Sequence, residues 1–349
     1  MARRVWLAAL SLAACWLALL SIAWTEARAD PPPAVGVRQI EYLSPGDQRP
    51  MWLAVFYPAV APAPETKPLR LPFVVNVTLH PDAEFLPAVA PRPLVMLSHG
   101  RGSDAWQYAW FAQSLAERGY IVAALNHYRA NSYEREIGWL ANRIWQRPRD
   151  VSLDLTHLLE DPVWGARIDA ARIGVAGHSQ GGFTALWLGG AEVNPEKFAA
   201  FQRLFADNPL IPAQIRRDLP VDAAPARGLR DARVKAVFAM APGVVQEFGM
   251  DADGLSRHAV PAYLVVGEGD TQTPPGPNAE FAARHIPGAE LWVIPGPVDH
   301  EIFINECDDE GRNEFPEGCI DKPGVDRHAL HAAIAAVAVR FFDEALGVR

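Results

Sequence analysis

No basic excess marks this sequence: 32 lysines and arginines stand against 41 aspartates and glutamates, a formal charge of −9. A protein that neutralises a phosphate backbone needs the opposite balance, so nucleic acid is excluded as a partner. No segment repeats at a fixed period, which removes solenoids and propellers. The glycine patterns that cradle nucleotide phosphates, Walker or dinucleotide, are missing as well. His80-Pro81-Asp82 and the two histidines of 328–331 have ligand residue types but no third ligand at a workable spacing. The expectation is therefore no metal and no cofactor. Cysteine is scarce too, with three in 349 residues, at 15, 307 and 319.

What is present begins with an export signature. Met1 to Arg4 form a short basic region, Val5 to Trp24 is apolar, and Ala27 and Ala29 frame an A-x-A site before Asp30. The reading is a signal peptide over 1–29 and a protein delivered to the periplasm or beyond. The apolar run is longer than a signal needs, so a retained membrane anchor is the alternative and the one expected membrane contact. Leu-Ala-Ala-Cys15 resembles a lipoprotein site, but the apolar run continues past it. Without the leader, Cys307 and Cys319 remain. In an oxidising compartment they are expected to pair and close a short acidic loop, worth roughly 3 kcal/mol on the chain-entropy model.

The rest of the chain, 30–349, reads as one domain. Residues 35–59 alternate apolar and polar around Pro45-Gly46, an antiparallel strand pair. The proline-rich span 58–93 reads as loop with one strand fragment, 73–79. Buried strands are then expected at 93–98, 121–127, 172–178, 234–242, 262–270 and 289–296. Helices are expected at 104–119, 151–161, 181–191 and from about Asp326 to Leu346. Residues 192–230 are helical in period with no strand partner, and read as an insertion capping the sheet edge. Alternating helices and near-continuous apolar strands specify an α/β fold with a mostly parallel sheet covered on both faces. Such sheets bind ligands at the carboxyl ends of their strands.

Four motifs fall at those ends. Gly177-His178-Ser179-Gln180-Gly181 matches G-x-S-x-G between a strand and a helix, the signature of a nucleophile elbow. Asp270 ends the run 263–270, immediately after a buried strand, and is the expected acid, in preference to Glu268 or Asp299. His300 follows the last strand and is the expected base, completing the order serine, acid, histidine. The oxyanion donors are expected to be the backbone N–H groups of Gln180 and of Arg101, with Gly102 as second choice. His99 and His178 read as buried structural histidines.

With these residues the chain resembles the α/β-hydrolases, and more narrowly the secreted dienelactone-hydrolase-like and platelet-activating-factor acetylhydrolase-like serine esterases. The resemblance runs through Leu94–Ser103, Leu115–His127, Arg172–Leu186 and Gly296–Phe303 to the final helix. It implies an α/β-hydrolase fold, a small-molecule ester as substrate, and one oxyanion amide after His99-Gly100. Two departures stand out: dienelactone hydrolases use a cysteine where this chain has Ser179, and acetylhydrolases place their acid one strand earlier than Asp270. The expected activity is carboxylic-ester hydrolysis through an acyl-enzyme. A polyester or cutin depolymerase is the rival within enzymes, disfavoured by the insertion at 192–230, and a non-catalytic binding protein on the same scaffold is the rival outside them.

Overall fold

The computed structural model describes residues 31–222 and 224–348; the expected leader, 1–29, lies outside them. Two ten-residue strands, β1 (Ala34–Leu43) and β2 (Pro50–Ala59), pair antiparallel in unbroken register from Ala34↔Ala59 to Leu43↔Pro50. Gly46, at φ +89°, supplies the left-handed residue their turn requires. The remaining strands are β3 (His80–Pro81), β4 (Arg92–Ser98), β5 (Ile121–Asn126), β6 (Ile168–His178), β7 (Val234–Met240), β8 (Ala262–Gly267) and β9 (Glu290–Ile294). They form one sheet in the order β3-β1-β2-β5-β4-β6-β7-β8-β9. From β5 to β9 every neighbour is parallel, and β2 alone joins this part antiparallel, through β5.

The central strands lack the alternation of a half-exposed sheet because helices cover both faces. β8 is buried at all six positions, and β4 at all but its first. Five helices have eight residues or more among the described residues: α1 (Ala109–Ala116), α2 (Gln146–Glu160), α3 (Gln180–Leu188), α4 (Pro195–Ala206) and α5 (Arg327–Leu346). Each end has a local cause. Asn194 caps α4 by accepting from the Glu196 and Lys197 amides at 3.0 and 3.2 Å, with Pro195 at the first position. Asp326 caps α5, which ends at the left-handed Gly347. Among the described residues no helix is long and apolar enough to cross a membrane.

Two local expectations need correction. Residues 73–79 are not a strand. Phe73 and Asn76 adopt φ of 64° and 61°, which interrupts the extended run, and single bridges Leu69↔Leu79 and Val74↔Cys307 replace a ladder. The short strand that does form is β3, beside β1. The acidic stretch closed by cysteine is likewise not plain loop. It folds into two helical turns, Asp309–Glu314 and Pro316–Cys319, and the Cys307–Cys319 disulfide spans a Cα separation of 5.5 Å.

Between α3 and β7, α4 and the turn Ala213–Arg216 lie against the segment that leads into α2. Asn142 donates to the Gln202 and Pro220 carbonyls at 3.0 and 2.9 Å, and Gln202 returns a bond to the Asn142 carbonyl at 2.8 Å. Phe198 and Phe201 are buried against Trp187 and Phe248.

Candidate active site

β6 runs into α3 through one residue, Ser179, held at φ 56°, ψ −121°. A left-handed serine is strained and persists only where its surroundings fix it. Here they do so through the backbone. The Ser179 amide donates to the Met240 carbonyl and its own carbonyl accepts from the Gly243 amide, both at 2.9 Å. The turn is tight enough that a Cβ at Gly177 would collide with the Gly181 backbone, and one at Gly181 with the Ser98 carbonyl. Those two glycines are therefore a packing requirement of the elbow. Gln180 is the first residue of α3, and amides in a helix's first turn have no acceptor within the helix.

Asp270 and His300 lie together after β8 and β9. Both are buried, and His300 Nδ1 lies 2.7 Å from Asp270 Oδ2. The other carboxylate oxygen, Oδ1, accepts from the Gln272 and Thr273 amides at 2.9 and 2.7 Å. Burial alone would raise this carboxyl. The His300 bond and charge, with the Thr273 donors, outweigh it and hold Asp270 below the usual carboxylate range. The His300 ring packs 4.5 Å, centroid to centroid, from that of His178, which precedes the elbow serine. Among the described residues the Asp270–His300 pair is hydrogen-bonded, whereas the Ser179 hydroxyl makes no hydrogen bond to the imidazole.

Arg101 follows β4 in the loop that abuts the elbow, where a Cβ on Gly100 would lie 3.4 Å from that of Ser179. Its guanidinium sits 5.9 Å from the Phe205 ring of α4. His99 and His178 are both buried. His99 Nδ1 is 2.6 Å from the Gly100 carbonyl and its Nε2 accepts from the His127 amide, while His178 Nδ1 is 3.0 Å from the Tyr108 hydroxyl. At the far end of the acid's alternatives, Asp299 faces Lys322 at 3.7 Å and Glu268 accepts from the Gly296 amide at 2.6 Å. Neither carboxylate is hydrogen-bonded to the His300 ring.

Three residues here escaped the motif reading. Thr273 donates to Asp270 Oδ2 at 2.8 Å and lies 3.1 Å from His300 Nδ1; an aspartate followed by threonine three residues on is a turn-capping pattern that could have flagged it. The Tyr108 hydroxyl accepts from the Gly100 amide at 3.0 Å and so ties the loop after β4 to His178. Arg147 is buried in α2 and donates to the His99 carbonyl and, at 3.4 Å, to Thr184, with burial lowering its guanidinium to about 9. No local pattern marks a buried arginine in advance.

The same burial gives the fold an acid sensitivity. His99, His127, His178, His258 and His331 are all pushed below the ordinary imidazole value, chiefly by burial, His258 to about 4 and His331 to about 3. Below a pH of about 6.5 the unfolded chain binds protons at these sites that the folded chain does not, so stability falls as pH falls. Asp150, raised by burial to about 6, and Asp154, raised well above its usual range, act in the opposite sense. Five histidines outweigh two carboxyls, at roughly 1.4 kcal/mol per proton and pH unit. The urea midpoint is expected to be clearly lower at pH 5 than at pH 7.5; an equal or higher midpoint would show that these imidazoles are not buried neutral.

Comparison with known proteins places this architecture. A family model described as serine aminopeptidase, S33, matches residues 89–214. Dipeptidyl-peptidase 5 of Porphyromonas gingivalis is 31% identical over 101 residues, which is 28% of this chain and 14% of that protein. The match thus spans a small part of that relative's length. Among solved structures, a ferulic acid esterase from Streptomyces cinnamoneus aligns over 92% of both chains with a TM-score of 0.61 and 22% identity, a likeness of fold. Strand order, the strained residue between β6 and α3, and these matches together give the chain an α/β-hydrolase fold.

Proposed function

We propose that the protein is an exported serine hydrolase that cleaves carboxylic esters through an acyl-enzyme. The observation that carries this reading is the strained Ser179 at the sheet edge where the hydrogen-bonded Asp270–His300 pair also emerges. In the proposed reaction the Ser179 hydroxyl attacks the ester carbonyl carbon as His300 Nε2 takes its proton. Asp270 holds the Nδ1–H and stabilises the imidazolium. The Gln180 and Arg101 amides stabilise the oxyanion, His300 returns the proton to the departing alcohol, and water, activated by the same imidazole, releases the acid. The Ser179–His300 hydrogen bond is expected to close when substrate aligns the pair, as catalytic hydrogen bonds commonly do.

The resemblance to secreted dienelactone-hydrolase-like and acetylhydrolase-like esterases, and the esterase among the structural neighbours, favour esters over amides. The aminopeptidase model and the dipeptidyl-peptidase match support peptide hydrolysis as a second reading. Export rests on the N-terminal signature, and the Cys307–Cys319 disulfide is in keeping with an oxidising compartment. The test is a fluorophosphonate probe followed by two substrates. Labelling at Ser179 with turnover of p-nitrophenyl acetate and none of dipeptidyl p-nitroanilides is the expected result. Turnover of the anilide alone would transfer the assignment to a peptidase, and absence of labelling would remove the hydrolase.

A further inference from the structure

The sheet edge that carries Ser179 continues past it, and the surface there is not plain. Three clefts follow one another along the edge. The first, of about 490 Å³, is lined by Arg101 and by Glu301, the residue after His300. The second, about 500 Å³, shares Phe73, Asp104 and Phe315 with it. The third, about 660 Å³, shares Gln39, Trp106 and Tyr133 with the second and ends against the β1–β2 pair. Topology explains the continuity: the last residues of β1 and β5, the first residues of β2 and the turn after β4 all lie at the carboxyl edge of the parallel strands. Four inter-strand steps separate β6 from β1, so the track extends roughly 19 Å from the elbow at about 4.8 Å per step.

The lining has a definite chemistry. Glu41 pairs with Trp52 across the β1–β2 ladder, and Gln39, two residues back on β1, falls on the same face. Trp52 and Trp106 meet edge to face at 5.6 Å, which leaves ring surface toward the cleft they both line. Tyr133 is 71% and Phe315 50% exposed, and both line the second cleft, so their rings are open to a ligand there. Carboxylates and amides are interleaved with these rings, and no lysine or arginine lines the third cleft. Leu43, Pro50 and Met51 add apolar wall, but Gln39, Glu41 and Glu134 interrupt it, which disfavours a long acyl chain, and a cleft with carboxylates and no cation does not suit an anionic ligand. The one ring there with a cationic neighbourhood, Tyr128, already has the Arg49 and Arg129 guanidinium groups at 5.6 and 5.1 Å. The Asn126 and Asn131 amides are bonded within the protein, but ring faces flanked by the Gln39 amide and the Glu41 and Glu134 carboxylates fit the C–H faces and hydroxyls of sugar rings.

We propose that this track is a binding site for a neutral oligosaccharide, and that the ester cleaved at Ser179 is carried on a saccharide chain; the second clause rests on the function proposed above. Remote contacts of this kind bind ground state and transition state alike and so act through KM. The expected result is a kcat/KM at least about tenfold higher for O-acetylated xylohexaose or cellohexaose than for the acetylated monosaccharide, with Trp106→Ala and the exposed Tyr133→Ala each lowering that ratio through KM. A wild-type ratio near one, or a ratio that neither variant moves, overturns the site. Binding is read separately by titrating unacylated xylohexaose and cellohexaose into Ser179→Ala and following tryptophan fluorescence. Saturable quenching that Tyr133→Ala weakens supports the track even if wild type hydrolyses no ester, an outcome that would defeat the proposed function alone. No binding of either chain, with no length preference in hydrolysis, defeats the track alone.

Discussion

Ser179→Ala is expected to lower kcat on p-nitrophenyl acetate by roughly 10⁴ to 10⁶ while leaving the melting temperature nearly unchanged. The two halves of that expectation have separate causes. Nothing else at the elbow can supply the attacking atom, so only the oxyanion amides and substrate positioning remain to act on water. Stability is kept because the elbow is fixed by backbone bonds to Met240 and Gly243 and by the close approach of Gly181 to Ser98, none of which involves the hydroxyl. Alanine also carries the same Cβ as serine at φ 56°, and so bears the same strain. Glycine does not, and Ser179→Gly is expected to be equally inactive but about 1 kcal/mol more stable than Ser179→Ala. Wild-type turnover in the alanine variant would remove the nucleophile; loss of both activity and cooperative unfolding would show that the hydroxyl has a structural part absent from the hydrogen bonds described here.

The parts of this molecule legible in the sequence are those where one residue type has one physical use. Continuous apolar runs such as Leu94–Leu97 and Leu264–Val266, short and bounded by turn residues, suit strands covered on both faces, and both lie in interior strands of the sheet. Glycine on each side of His178-Ser179-Gln180 marks a turn too tight for any Cβ. The span 73–79 misled because its valines favour strand, whereas Phe73 and Asn76 are set by tertiary contacts: Val74 bridges to Cys307, over two hundred residues away in the chain. Tyr108 and Arg147 were invisible for a related reason. Each gains its meaning from partners on other elements, and a single sequence does not show which elements meet. The clefts beyond Arg101 are more distant still, since residues from β1, β2 and the loops after β4 and β5 contribute to one surface.

Asp270→Asn is expected to lower kcat by roughly 10⁴, whereas Asp299→Asn and Glu268→Gln stay within a few-fold of wild type. The size of the first effect follows from how the carboxylate is held. Oδ1 accepts two amide protons, from Gln272 and Thr273, so an asparagine at 270 must place its carbonyl oxygen there. Its NH₂ group then occupies the position of Oδ2, 2.7 Å from His300 Nδ1. A donor in that place obliges Nδ1 to accept, which moves the ring proton to Nε2, the nitrogen that receives the serine proton in the proposed reaction. The imidazole is thereby fixed in the wrong tautomer, and the charge that would stabilise imidazolium is gone. Asp299 and Glu268 hold no such position, being turned to Lys322 and to the Gly296 amide. The measurement is kcat for the three variants against pH, with unfolding followed in parallel. A large loss in Asp299→Asn with Asp270→Asn near wild type would move the acid to the residue beside the histidine. Alkali offers a further check: with the imidazole locked in the wrong tautomer, hydroxide can take the serine proton directly. The rate of Asp270→Asn should therefore keep rising with pH above the range in which wild type levels off.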